Sequence, residues 1–512
     1  MEAAEYDGAG QLVKRTTGGG RTSTVNTFDS VGHVTQSVLD PAGLKRTISV
    51  GYDADDRVTS TTLKVSDTEN SVQSSTYDTA GRLTRSELSS SLGGPSSVAT
   101  YAYDQRGLVI SSTSPIGNSA GADPAAYTTS FGYDVLGRAV TVTAPPVAAE
   151  SGGAAATVRP ITTTGYNAFG EAVSAKDPLG RVARTAVDRL GRAVAATLPA
   201  YTPPGAGTPL TPTSTVEYDK LSRVVAASDA AGRRTTFAYD RLDHETKRVE
   251  PNSLGALQPP VDDNPPTWTS TWTPTGLQLS ATDPVGARAE ATYDQLGRVL
   301  TATVVERKPT LQNVTSRFTW DDAGNQTAAT SPTGSVGKAT YNAAGQILTA
   351  TDPLGRTSRR DYDDAGRLTK STTPMGEAIR TRFDGLGNPV VAEDLDAAGT
   401  VLRTVPTAFD LEGRVVSATS PTSGAVTTTR YDVLGRPVAL TEPVAAGQSI
   451  TTTFGYDAAG NRTRLTDGRG NTTVYTFNAW GLPESTVEPS TTAHPTAATA
   501  PGPPRTTWPA RP

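Results

Sequence analysis

Short runs of alternating apolar and polar residues fill the chain. Each run spans five to seven positions and is closed by a turn-forming cluster, and no stretch sustains the three-to-four-residue period of an amphipathic helix. Thr, Val and Tyr dominate the runs, as suits strands. In one stretch the alternation predicts strands over 367–372 and 377–383, with Leu368 on one face of the first and with Ile379 and Phe383 sharing a face of the second.

The punctuation repeats. An aromatic followed by Asp, two further residues, Gly and Arg recurs as Tyr77-Asp78…Gly81-Arg82, Tyr133-Asp134…Gly137-Arg138, Tyr293-Asp294…Gly297-Arg298, Tyr362-Asp363…Gly366-Arg367 and Tyr431-Asp432…Gly435-Arg436. Weaker copies begin at Phe383, Trp320, Tyr341 and Phe477. With degenerate copies there are twenty units between Tyr6 and Phe477, spaced by 21 to 33 residues, and seven of the nineteen spacings equal 21. A fixed floor with additions above it is what one structural unit plus variable loops produces. A second signal stands eleven residues after the aromatic, as in Asp352-Pro353-Leu354-Gly355 after Tyr341 and Asp177-Pro178-Leu179-Gly180 after Tyr166.

Asp-x-x-Gly is a type I turn signature: Asp caps its own backbone, and Gly accepts a positive φ. Followed by a left-handed Gly, such a turn is a common hairpin connection. Pro in the second signal pre-sets the same turn. Each unit thus holds two turns and two strands. A single hairpin has too few apolar anchors (the aromatic, the residue after Gly-Arg and one in the returning strand) to offset the entropy of ordering its residues. The units must therefore stand as an array in which neighbours support each other. Some forty strands joined edge to edge must curl, so the expected fold is all-β: tandem hairpins forming one long curled antiparallel sheet, an open or partly closed hollow shell with a polar second face.

The additions are rich in Pro, Gly and Ala and lie at 114–127, 144–160, 198–213, 250–267 and 442–448. All five occupy the Asp-Pro turn, so they are expected to project from one rim. The array is placed at 5–482, after a short start at 1–4. The tail, 483–512, is Pro/Thr/Ala-rich and is expected to be mostly disordered, with residual strand pairing at its start.

Composition narrows the chemistry. The 512 residues carry 46 Lys+Arg against 51 Asp+Glu, no Cys and three His. A net charge of −5 offers no general field for a phosphate backbone, which argues against nucleic acid. Without Cys there are no disulfides, thiolate nucleophiles or Cys-based zinc sites. No apolar run is long enough to span a membrane, and no signal peptide is visible at the N-terminus. His33, His244 and His494 belong to different units, with His33 in the Arg slot of a degenerate copy, so a catalytic or metal cluster is not expected. The Asp clusters at 53–56 and 361–364 fit turn capping better than calcium binding. Gly334-Ser335-Val336-Gly337-Lys338-Ala339 is two residues short of a phosphate loop and lacks the Ser/Thr for magnesium. No cofactor and no catalytic residue is expected. The repeated Tyr and Arg could bind sugars, but constant register favours stacking within the array.

The pattern Tyr-Asp-x-x-Gly-Arg followed by Asp-Pro-x-Gly resembles the Rhs/YD-repeat family, which includes bacterial Rhs polymorphic toxins, the B and C components of insecticidal toxin complexes and the YD shell of teneurins. The resemblance covers about residues 5–490. It implies a β-sheet wound into a cocoon that in bacterial members encloses a C-terminal toxin. Neither the Rhs core segment with its self-cleavage site nor a toxin domain is recognisable, so the chain reads as an internal piece of a larger secreted or cell-surface protein. Its expected partners are that missing core and toxin domain, and its expected role is to contain or display a polypeptide. The alternative is an adhesion module binding cell-surface glycan or protein.

Overall fold

A computed structural model describes residues 2–150, 154–251, 265–306, 310, 312–445 and 447–489, together with the backbone of 499–500. The fold is all-β. Among the described residues 43 strands form; 41 belong to a long antiparallel sheet, and Val147–Ala149 with Ala156–Val158 make a small separate hairpin. Among the described residues the helical turns are two 3-10 segments, Gly18–Gly20 and Pro124–Tyr127.

The unit at Tyr362 shows how the sequence builds the sheet. Its strands are Leu368–Thr372 and Ala378–Phe383, each starting one residue later than the alternation predicts. At the Tyr-Asp turn, Gly366 N donates to the Asp363 carbonyl at 2.9 Å and Gly366 has φ 88°. The Asp-Pro turn is the same device: Gly355 N donates to the Asp352 carbonyl at 2.9 Å, with φ 81°. The two rims nevertheless differ. At the Tyr-Asp turns the ladder shifts register at the aromatic, so that Tyr362 faces Leu368 while Asp361 faces Lys370. At the Asp-Pro turn the ladder runs straight, with Thr351 facing Thr357 and Ala350 facing Ser358. An extra residue on one rim bends the strand and adds twist there.

Degenerate copies keep the turn at a cost. Asp56, Ser222 and Asp243 stand in the Gly slot with φ 64°, 66° and 68°. A side chain there is strained, although Asp tolerates the left-handed region better than most residues.

Few side chains are deeply buried. The buried apolar residues are Val65, Val147, Ala226, Ala378, Leu395, Ala439 and Tyr456, and no large side chain among the described residues falls below 2% exposure. The apolar anchors are more open than the sequence suggests: Leu368 is 40% exposed and Ile379 52%. Cross-strand hydroxyl pairs add polar stitching, as in Thr292–Thr301 and Thr340–Thr349, both at 2.7 Å.

The chain divides into two compact units. One comprises 1–70, 213–381 and 394–402; the other comprises 71–212, 382–393 and 403–512. Within the first, the Asp-Pro rim of its early stretch sits on the Tyr-Asp turns of its later one. Thr22 Oγ1 donates to the Ala343 carbonyl (3.1 Å), Arg46 Nε to the Asp364 carbonyl (3.2 Å) and Asp364 N to the Val65 carbonyl (3.2 Å). Gly18, with φ 60°, lies so close to Ala323 that a Cβ would come within 3.1 Å of its backbone. Within the second unit the same scheme recurs. Ser97 Oγ donates to the Leu411 carbonyl at 2.9 Å, Ser114 Oγ to Glu412 at 2.6 Å, and Trp480 Nε1 to the Pro199 carbonyl at 2.7 Å. Glu150 N donates to the Tyr456 carbonyl at 2.7 Å, and its carboxylate holds Arg464 at 2.9 Å.

The additions at 114–127, 144–160 and 198–213 thus share one rim as expected, but they dock on other turns of their own unit instead of standing free. The expected loop at 442–448 is instead an extension of two long strands, Pro437–Ala445 and Gln448–Tyr456, because the ladder runs on through Pro443 and absorbs Val444 at a bulge. Most of 250–267, and most of the tail, lie outside the described residues. The start of the tail, Pro483–Val487, is a strand paired with Thr472–Phe477.

Two substitutions test the turn geometry. Gly366→Val places a β-branched side chain at positive φ against the Arg46 guanidinium and should cost 1 kcal/mol or more, on the order expected for such a residue. Ser222→Gly should stabilise by about 1 kcal/mol by removing the same strain. Urea denaturation of both variants checks the pair, and the two midpoints should move in opposite directions.

Candidate functional site

The residues singled out in the sequence converge at the Tyr-Asp turns. Asp78 Oδ1 accepts from Ala80 N and Arg82 N, both at 2.9 Å, which caps the turn, while Oδ2 takes Arg82 Nε at 2.8 Å. The same carboxylate–guanidinium bond is 2.6 Å for Asp134–Arg138 and Asp294–Arg298, and 2.7 Å for Asp363–Arg367 and Asp432–Arg436. Asp352 holds Arg356 at 2.7 Å in an Asp-Pro turn.

From its own turn the Arg reaches the next. Arg82 lies 4.9 Å over the Tyr103 ring and donates Nη1 to the Asp104 carbonyl at 2.8 Å. Arg138 lies 4.6 Å over Tyr166, Arg298 6.0 Å over Trp320, Arg414 5.0 Å over Tyr431 and Arg436 4.6 Å over Tyr456. The ring answers with its own donor, which returns to the residue just after the Arg. Tyr103 Oη donates to the Leu83 carbonyl at 2.7 Å, Tyr431 to Val415 at 2.9 Å and Tyr456 to Pro437 at 2.8 Å. Tyr133, Tyr293 and Tyr362 bond the carbonyls of Val109, Gln278 and Ile347 at 2.8, 2.7 and 3.0 Å. Trp320 does the same through its indole N–H, to Val299 at 2.8 Å. The stacking expected within the array is therefore Arg on the following aromatic, not ring on ring.

The two described His residues confirm the slot. His33 Nδ1 lies 3.1 Å from Asp29 Oδ2, and its ring stacks on Tyr52 at 4.6 Å. His244 lies 3.0 Å from Asp240 and stacks on Trp272 at 5.5 Å. Both stand where Arg stands elsewhere, while His494 lies outside the described residues. Among the described residues no three His, Asp or Glu side chains cluster as metal ligands. Gly334 closes a turn and Val336–Tyr341 is a strand, so the phosphate-loop look-alike has no helix.

The sequence did not disclose where the Asp-Pro additions land. In the second unit the 198–213 segment meets the turn at Trp480. Tyr201 packs edge-on against Trp480 at 5.1 Å and bonds Glu484; burial and that carboxylate push its phenol up to about 12.

Electrostatics follow from the capping. Turn amides and the Arg of the same turn hold Asp134 and Asp294 below the usual carboxylate range, and for Asp78 the Arg82 bond is the largest cause. Asp29 is lowered to about 2, mainly by the His33 amide. A carboxylate whose folded pKa is depressed stabilises the fold above its unfolded value, about 4, and the contribution is lost as pH falls through the folded value. The urea midpoint should stay level from pH 8 to 5 and drop below about pH 4. At neutral pH, Arg436→Ala should cost about 1–3 kcal/mol and Tyr456→Phe about 1 kcal/mol, measured by the same denaturation.

The RHS repeat family matches this chain at residues 218–253, 341–378, 362–401, 409–447, 444–472 and 456–493. No curated protein matches the sequence. Among solved structures, TcdB2-TccC3-TEV is similar over 91% of this chain and 27% of its own length, at 15% identity and a TM-score of 0.63. A Photorhabdus luminescens Tc holotoxin pore with a mutated TccC3 is similar over 92% of this chain and 28% of its own length, at 13% identity and a TM-score of 0.60. TcdB2-TccC3 without its hypervariable C-terminal region is similar over 97% and 30% of the two lengths, at 13% identity and a TM-score of 0.55. The chain thus spans less than a third of each solved chain and shares its fold. The turn motif, its register and the family match agree that the chain carries RHS repeats over the matched residues, within a hairpin array that continues the same turns.

Proposed function

We propose that this chain is a non-enzymatic wall segment of a toxin-delivery shell, which contains or displays another polypeptide outside the producing cell. The observation that carries this reading is the turn relay. In unit after unit the Asp, Arg and aromatic of the motif are engaged in joining one hairpin to the next, which makes a self-supporting sheet. The bulge repeated at turn after turn of the Tyr-Asp rim supplies the added twist that would bend such a sheet into a curved wall. The Tc structures that share the fold contain TccC3, and a C-terminal shell-completing segment with its toxin is the partner class this suggests.

The test is to tag the chain, express it together with the coding sequences adjacent to it in its genome, and digest what copurifies with a non-specific protease. A partner polypeptide should copurify and stay intact until denaturant opens the assembly. A partner digested as fast as it is alone, or a chain that purifies by itself and shows saturable, sugar-competed retention on a glycan array, would contradict containment and favour adhesion.

A further inference from the structure

One register position departs from the pattern in four consecutive units. Three residues before the aromatic, ten of the twenty units place a small hydroxyl residue, among them Thr100, Thr163, Thr215, Thr236, Thr269, Thr428 and Thr453, while Arg184 is an isolated basic one. In the units at Trp320, Tyr341, Tyr362 and Phe383 the same position holds Arg317, Lys338, Arg359 and Arg380, each 21 residues from the last.

The ladder puts all four on one face. Arg317 faces Thr330, and Thr330 faces Val336, two residues from Lys338. Lys338 faces Thr351, which faces Thr357, two residues from Arg359. Arg359 faces Thr372, which faces Ala378, two residues from Arg380. Each step is therefore two strands across and two residues along, about 12 Å from the strand spacing and rise. Lys370, directly opposite Arg380, lies on the same face. Carboxylates that share it include Asp361, opposite Lys370, Glu290 at one end, 2.8 Å from Arg288, and Glu393, 3.0 Å from Arg382, which follows Arg380 by two residues.

All four ladder residues are exposed. Arg317, Lys338 and Arg359 have no ion pair among the described residues. The fold does not require charge here, since seven other units place Thr in the slot. Nor does the ladder gain stability from it, because like charges in a row repel.

We propose that this basic ladder is a binding surface for an acidic, extended polypeptide segment laid obliquely across the strands. Charge complementarity selects an anionic partner in a chain whose net charge is −5. A step of about 12 Å matches every third or fourth residue of an extended chain. The aromatics, three residues further along each strand, fall on the opposite face by alternation. The ladder thus offers no platform for stacking bases, which disfavours single-stranded nucleic acid. Thr330, Thr349, Thr351 and Thr372 on the same face add hydroxyls that can bond a peptide backbone. The inference rests on the reading of the chain as a wall that holds a polypeptide, and it names the surface that would do so.

The test uses the full chain and poly-L-glutamate, with heparin and single-stranded DNA as competing probes. Poly-L-glutamate should bind at low salt and weaken steeply as salt rises. Changing Arg317, Lys338, Arg359 and Arg380 to the Thr of the other units should weaken binding about 3-fold each and about 30- to 100-fold together, the range of exposed ion pairs. The thermal transition should be unchanged. On the unmodified chain, a carbodiimide cross-link from poly-L-glutamate should map to Lys338 or Lys370, a readout that needs no variant to fold. Full retention of binding after Arg317→Thr, Lys338→Thr, Arg359→Thr and Arg380→Thr together would overturn the inference, as would cross-links confined to other lysines. Tighter, ladder-dependent binding of heparin or DNA would overturn the assignment to a polypeptide. Copurification of a protected partner with no poly-L-glutamate binding would sink this inference alone.

Discussion

A guanidinium held between the carboxylate of its own turn and the ring of the next hairpin is the interaction on which the structure depends. The Asp fixes the Arg, the Arg orders the following aromatic, and the donor of that aromatic returns to the strand the Arg has just begun. The connection is local in sequence and directional, so it can be repeated without limit. Because the sheet buries so few side chains, it cannot rely on a packed core in the ordinary sense. Its cohesion comes from the backbone ladder, from these rim bonds and from cross-strand hydroxyl pairs, which places it with nearest-neighbour repeat arrays.

The two rims divide the labour. The Tyr-Asp rim carries the relay and the register shift. The Asp-Pro rim carries the insertions, which leave the relay undisturbed. Within each compact unit the second rim of one stretch then rests on the first rim of another, roughly 300 residues on, through bonds such as Arg46 to Gln346 and Ser114 to Glu412. Insertions at 144–160 and 198–213 fit this scheme as docking pieces: Glu150 meets Arg464, and Pro199 meets Trp480.

Much of this was legible in the sequence for a physical reason. Asp-x-x-Gly needs a positive φ at its last residue, and twenty copies of the motif, some degenerate, on a floor of 21 residues leave a hairpin array as the consistent fold. Even the Arg slot could be seen, since His33 replaces Arg at one copy. The partner of that Arg could not. Stacking of Arg82 on Tyr103 is a contact between neighbouring units, and nothing in the motif itself marks which ring the Arg will meet. The docking of Arg46 on Asp364 was equally hidden, because nothing local says which turn lies 318 residues away in the first unit. The exposure of Leu368 and Ile379 was missed because alternation reports which residues share a face, not whether anything covers it. Lys338 was weighed as part of a phosphate loop and set aside; its register, not its motif, gives it meaning.

Hydrogen exchange on an Arg436→Ala variant tests the nearest-neighbour account most directly. The account predicts that the amides around Asp432–Pro437 and those of the following unit, near Tyr456, lose protection together, while units several hairpins away within the same compact unit keep theirs. Loss confined to the substituted turn, or a uniform loss throughout the chain, would contradict it.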